Sequence, residues 1–182
     1  LETTGDPPPL RWDHVAVYDE SGDRLVVYGG WPLDSRYVYD DLWTLELSET
    51  PARWVRHEPA GERPGPPIHG AAVYVPERET MLLVERTGDS FDSEMRLWEL
   101  ELGVDPVWRS ITPTGDALPD VTGMAMAYDT ARGEAYAFGG FGPLYETCGS
   151  LVAIDPATGT VRVVSANPVA PAGRAEATLV HD

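Results

Sequence analysis

Leu25-Val26-Val27-Tyr28-Gly29-Gly30 is an apolar run closed by two glycines, and 110 residues later Ala135-Tyr136-Ala137-Phe138-Gly139-Gly140 has the same form. Working outward from this pair, an apolar run followed by a polar turn recurs at Val17-Tyr18-Asp19, Val73-Tyr74-Val75, Ala127-Tyr128-Asp129 and Val180-His181-Asp182, at intervals of 56, 54 and 53 residues. Trp43 and Trp98, Trp54 and Trp108, and Gly61 and Gly115 keep the same period. Self-similarity at a fixed period marks an array, in which each unit is one supersecondary element that buries its apolar face against a neighbour.

Each unit holds four short candidate strands. In the first these are His14 to Tyr18, Arg24 to Tyr28, Asp41 to Leu47 and Arg53 to His57, with polar turns at Asp19 to Asp23 and Ser48 to Pro51. Such turns between short apolar runs read as an antiparallel meander. Alternation is visible in Leu42-Trp43-Thr44-Leu45-Glu46-Leu47 and in Leu97-Trp98-Glu99-Leu100-Glu101-Leu102. It puts Leu45 and Leu47, and likewise Leu100 and Leu102, on the strand face that packs against a neighbouring unit. Four strands in about 50 residues is the pattern of a β-propeller blade, which packs radially and leaves only short sheet edges.

The motif residues resemble the Kelch family: an apolar strand ending in Gly29-Gly30, then Tyr39-Asp40-Asp41-Leu42-Trp43, then Trp54, Gly61 and Pro64. The third unit keeps Gly139-Gly140 but has Val152 and Val161 where the tryptophans would fall, and the second keeps Trp98 and Trp108 but has Glu85-Arg86 in place of the glycine pair. The resemblance implies an all-β fold, a Kelch-type propeller segment of about three four-stranded antiparallel blades in an open arc. The expected divisions are a tail of a preceding blade at 1–10, blades at 11–67, 68–120 and 121–175, and the first strand of a following blade at 176–182. Three blades cannot close a ring with a filled centre. The missing blades are expected in the same parent chain, for a total of six or seven, and both end faces of the array are expected to be bare.

Composition narrows the function. The chain of 182 residues has 30 Asp plus Glu against 13 basic residues, all of them Arg, for a formal net charge of -17. A phosphate backbone is repelled by such a surface, so nucleic acid is not an expected partner. No apolar run approaches the roughly 20 residues that cross a bilayer, so no membrane insertion is expected. Cys148 is the single cysteine, which excludes an internal disulfide and a thiolate metal cluster. The all-arginine basic set hints at GC-rich coding and a bacterial source, with an extracellular or periplasmic parent protein as one placement; nothing in the residues fixes the compartment.

Chemistry-bearing residues are scattered. Gly29-Gly30 and Gly139-Gly140 lack the third spaced glycine of a phosphate loop, so tight packing or positive φ explains them better. Trp43, Trp54, Trp98 and Trp108 recur at the repeat period and read as packing between units. His14, His57, His69 and His181 form no pair at metal-ligand spacing. Galactose-oxidase-like enzymes, which share the Kelch propeller, hold copper with two tyrosines and two histidines, one tyrosine cross-linked to a cysteine; Cys148 and Tyr145 lie too close together to resemble that pairing. Asp40-Asp41, and Asp89, Asp92 and Glu94, read as solvated turns. No catalytic residue, metal or cofactor is expected in this segment.

Loop length is the most informative functional signal. One end of the sheets has short polar turns, whereas Trp31 to Val38, Thr87 to Met95 and Phe141 to Gly149 emerge at the other end together with the links between units. These longer loops carry Trp31, Arg36, Tyr37, Phe91, Phe141 and Tyr145, residue types favoured as binding anchors on a rigid scaffold. The expected function is a recognition scaffold that binds a protein, peptide or glycan there. The alternatives are part of a propeller enzyme, such as a galactose-oxidase-like oxidase, a sugar-acid epimerase or an iron-dependent lyase, with its site at the propeller mouth, and a purely architectural spacer.

Overall fold

The computed structural model describes residues 2–33, 37–66, 69–87, 94–165, 172–175 and 177–180. It is all-β, with a single 3-10 turn at Pro76–Arg78 as the helical content of the described residues. The first sheet contains β1 (Thr3–Thr4), β2 (Arg11–Trp12), β3 (Val15–Asp19), β4 (Arg24–Pro32), β5 (Tyr39–Glu46) and β6 (Ala52–His57). The second contains β7 (Ala60–Gly61), β8 (Ala71–Val75), β9 (Thr80–Arg86), β10 (Met95–Glu101) and β11 (Val107–Ile111). The third contains β12 (Thr114–Gly115), β13 (Ala125–Asp129), β14 (Glu134–Phe138), β15 (Leu151–Asp155) and β16 (Thr160–Ser165).

In each sheet four strands consecutive in sequence pair antiparallel in simple order. Carboxylates close several of the tight turns. Asp19 Oδ1 accepts from the backbone N–H groups of Ser21 and Gly22, each at 3.1 Å, and its Oδ2 accepts from Arg24 Nε at 2.8 Å. Asp129 and Asp155 accept backbone N–H bonds from Arg132 and Ala157 in the same manner. A short polar side chain that satisfies the turn's own backbone is what favours Asp at these places.

The repeat register is preserved. Val27 pairs with Trp43 and Leu83 with Trp98, while Leu45 pairs with Trp54 and Leu100 with Trp108, so the tryptophans take equivalent positions in the first two sheets. A slip of one residue would have moved them to opposite faces.

The sheets are mixed rather than purely antiparallel, which corrects the four-stranded expectation. Each gains a fifth, two-residue strand that runs parallel to its outermost long strand: β1 on β6, β7 on β11 and β12 on β16. β7 and β12 follow the last long strand of one sheet in sequence but pair with the next sheet, so each link between sheets hydrogen-bonds to the sheet it is about to enter. β4 also extends four residues past the expected Tyr28, because β2 folds back on it and pairs Trp12 with Trp31 and Arg11 with Pro32.

Two apolar clusters join the sheets. Val15, Val17, Val26, Tyr28 and Leu42 of the first pack on Met81, Leu83, Trp98, Leu100 and Trp108 of the second. Val73, Leu82, Val84 and Leu97 of the second pack on Ala135, Ala137, Val152 and Ile154 of the third. The first strands β3, β8 and β13 lie side by side at these junctions. The end faces of the array are expected from the sequence to be bare; on the far face of the first sheet, Trp43 and Leu45 are instead each only 8% exposed. Arg11 of β2 ion-pairs with Asp41 there, whose Oδ2 also accepts from Trp43 Nε1 at 2.7 Å.

Candidate aromatic recognition site

The antiparallel order puts the end of β4, the end of β6 and the starts of β3 and β8 at one end of the sheets. There, at the junction of the first and second sheets, Trp12 stacks on Trp31 with ring centroids 5.9 Å apart and an interplanar angle of 21°. His69 lies against the same indole, 6.4 Å from it and tilted by 60°. Its Nδ1 and its backbone N–H both reach Oδ2 of Asp13 at 3.0 Å. Trp12 is 50% exposed. Trp31 is half-buried, and its Nε1 is buried with no hydrogen-bond partner among the described residues.

Backbone geometry sets up this cluster. Asp13 and His69 both have positive φ, 57° and 50°, and Gly123 takes the matching place in the third repeat with φ 67°. The three are chained, because Gly123 N–H donates to the His69 carbonyl at 2.9 Å while His69 N–H donates to Asp13. Gly30, with φ 106°, lets the Trp12 carbonyl approach so closely that an added Cβ would stand 2.9 Å from it. Thr122 and Phe141 pair in the third repeat as Trp12 and Trp31 do in the first, with no indole at either position.

The cations and carboxylates nearby are largely matched. Arg11 donates to both oxygens of Asp41, at 2.5 and 3.0 Å, and to the Gly29 carbonyl at 2.9 Å, and its guanidinium sits 4.4 Å from the centroid of the Tyr39 ring. Burial pushes the Asp41 carboxyl up, but hydrogen bonds from Arg11 and Trp43 outweigh it and hold the group below its ordinary value. His14 is shifted down, chiefly by burial and then by Arg11. Asp40, the next residue on β5, is exposed.

The sequence-selected residues divide. Trp31 is in the cluster. Tyr37 is 86% exposed in the loop that follows β4. Phe141 bridges Thr122 and Thr147 at the third sheet, and Tyr145, also 86% exposed, caps the turn from Gly142 to Glu146 with φ 63°. Phe141 and Tyr145 thus belong to a separate loop. Arg36 and Phe91 lie outside the described residues. Sequence reading missed Trp12, Asp13 and His69. The available signal was alignment: Trp12 falls where the third repeat has Thr122, and an aromatic departing from the repeat at a loop end is a functional cue.

A second polar feature lies within the fold. Glu85, at the place of Gly29 and Gly139, is 1% exposed; its Oε1 accepts from Trp98 Nε1 at 2.8 Å, and its Oε2 has no hydrogen-bond partner among the described residues. Tyr28 donates its hydroxyl to the carbonyls of Pro64 and Gly65 at 3.1 and 3.2 Å and packs against Trp108, centroids 4.9 Å apart. Burial, and then the Glu85 charge, push the Tyr28 phenol far up. Among the described residues no three His, Cys, Asp or Glu side chains are grouped to hold a metal ion.

No family model matches the chain. It is 33% identical over 70 residues to dynein regulatory complex subunit 7 of Chlamydomonas reinhardtii, covering 38% of this chain and 6% of that protein. It is 29% identical over 120 residues to serine/threonine-protein phosphatase BSL2 of Arabidopsis thaliana, covering 65% of this chain and 11% of that protein. The chain therefore spans only a small part of the length of the curated proteins it matches, and the likeness is to short stretches of them.

Proposed function

We propose that the three sheets are consecutive blades of a Kelch-type β-propeller and that the chain is a recognition scaffold, binding a protein, peptide or glycan at the sheet end that holds Trp12 and Trp31. The shared strand order and register of the three sheets, and the apolar clusters that join them face to face, support the blade reading.

The observation that carries the binding role is the half-exposed indole of Trp12, stacked on Trp31 and backed by His69 and Asp13. Large rigid aromatic groups on loops fixed by a scaffold lose little entropy when they are covered, which makes them effective anchors. Intrinsic tryptophan fluorescence, read while screening glycans and peptides, tests it. Ligands are expected whose binding is lost in Trp12→Ala while the circular dichroism of the chain is unchanged. A set of ligands all indifferent to Trp12→Ala would remove this surface as the recognition site.

A further inference from the structure

Resting on that reading, we propose that the Trp12 surface takes the arginine or lysine side chain of a basic peptide segment. The face of an indole carries a negative quadrupole and is the strongest cation–π acceptor among side chains. Here it is held in one orientation by the stack on Trp31 and by the pairing of β2 with β4, so little ordering remains to be done on binding.

Charge selects the ligand. The chain carries a formal net charge of -17 and has no lysine. Arg11, which precedes Trp12 on β2, is taken up by Asp41 and the Gly29 carbonyl and its side chain is only 5% exposed, so it is not a free cation on the surface. Asp40, on β5 of the same sheet, is exposed, whereas the Asp13 carboxylate is held by His69. An approaching cation is drawn in by this field, and an anion is repelled.

The same end of the sheet already contains the recognition geometry once. The Arg11 guanidinium rests over the Tyr39 ring while Asp41 binds it bidentately. An aromatic face beside a carboxylate is thus how this chain holds its own arginine. Trp12, the next residue of β2, presents a second aromatic face, half-exposed, on a chain whose formal net charge is -17. A neutral glycan could also stack on the indole but would gain nothing from the charge.

The test uses the full chain and three probes: a peptide with three arginines spaced by glycine, the same peptide with citrulline in place of arginine, and a neutral linear hexasaccharide of glucose. Binding is read by tryptophan fluorescence and calorimetry at low and at physiological salt. The arginine peptide is expected to bind, to weaken as salt rises, and to exceed the citrulline peptide about tenfold. Trp12→Ala is expected to weaken it about five- to tenfold and Trp12→Phe less, since the smaller ring still accepts a cation, though more weakly than indole. Equal binding of the arginine and citrulline peptides, or arginine binding unchanged by Trp12→Ala, overturns the proposal. If only the hexasaccharide binds, and does so through Trp12, the cationic ligand is wrong and the recognition surface stands; if no probe or screened ligand depends on Trp12, both fall.

Discussion

The backbone N–H and the ring Nδ1 of His69 converge on one oxygen of Asp13, each at 3.0 Å, and these two residues stand at the same place in consecutive repeats. One carboxylate thereby pins the entry of the second sheet to the entry of the first. Both residues have positive φ, where a carboxylate or imidazole is tolerated better than a branched side chain.

Removing that acceptor while sparing the backbone isolates its contribution. Asp13→Gly keeps the left-handed conformation and deletes the carboxylate, and should cost about 1.5–3 kcal/mol, the range for hydrogen bonds to a charged group. Urea unfolding gives the figure. The fluorescence of the Trp12–Trp31 pair should change as well, because His69 packs on Trp12. Unchanged stability and emission would mean that the sheet entries are held by the apolar clusters alone.

The parallel edge strands depend on glycine. A Cβ on Gly61, whose φ is 87°, would stand 2.2 Å from the Trp108 carbonyl oxygen, and Gly5 and Gly115 meet Trp54 and Val161 in the same way, at 2.4 and 2.5 Å. Backbone blocks the space, so Gly61→Ala combines a steric clash with a strained φ and should cost about 3 kcal/mol. Gly65→Ala is the control, as nothing lies within 4 Å of its added Cβ. A large drop in thermal midpoint for the first and little change for the second is the expected outcome; equal midpoints would mean that β7 is not held against β11.

How much of this was legible in the sequence follows from the physics of each element. Long strands announce themselves by alternation and by Asp-rich turns, so the four-strand units and the Trp43–Trp98 register could be read directly. The two-residue strands have no period to show, and only the recurring Gly61 and Gly115 marked two of them. Trp31 was reachable from loop length. Trp12 was not, because its role depends on β2 folding back on β4, and that contact needs the close backbone approach at Gly30. The matching of Asp13 with His69 was hidden because the shared property is a positive φ, which only Gly123 displays in its residue type.

Glu85 predicts an unusual dependence of stability on pH. It occupies a glycine position of the repeat, yet its side chain is enclosed between the first two sheets, with Trp98 donating to one oxygen and the other unpartnered. Burial raises its pKa from 4.5 to about 7, against smaller opposing effects from the Trp98 and Gly65 N–H groups and from Arg96. Tyr28, the phenol packed nearby, stays neutral because its own pKa is raised. The folded chain therefore holds a proton on Glu85 between about pH 4.5 and 7 that the unfolded chain has released. The stability this contributes is fully present below pH 4.5 and is lost as pH rises through about 7, a difference on the order of 3 kcal/mol. His14 and His57, whose pKa values are lowered chiefly by burial, act in the opposite sense, since their contribution is lost as pH falls below 6.5. Comparison with Glu85→Gln cancels them. The variant keeps an acceptor for Trp98 and carries no charge, so it should match the parent chain near pH 5 and exceed it in urea unfolding at pH 8. An unfolding difference between the two that is the same at both pH values would show that Glu85 ionises in the folded chain as freely as in the unfolded one.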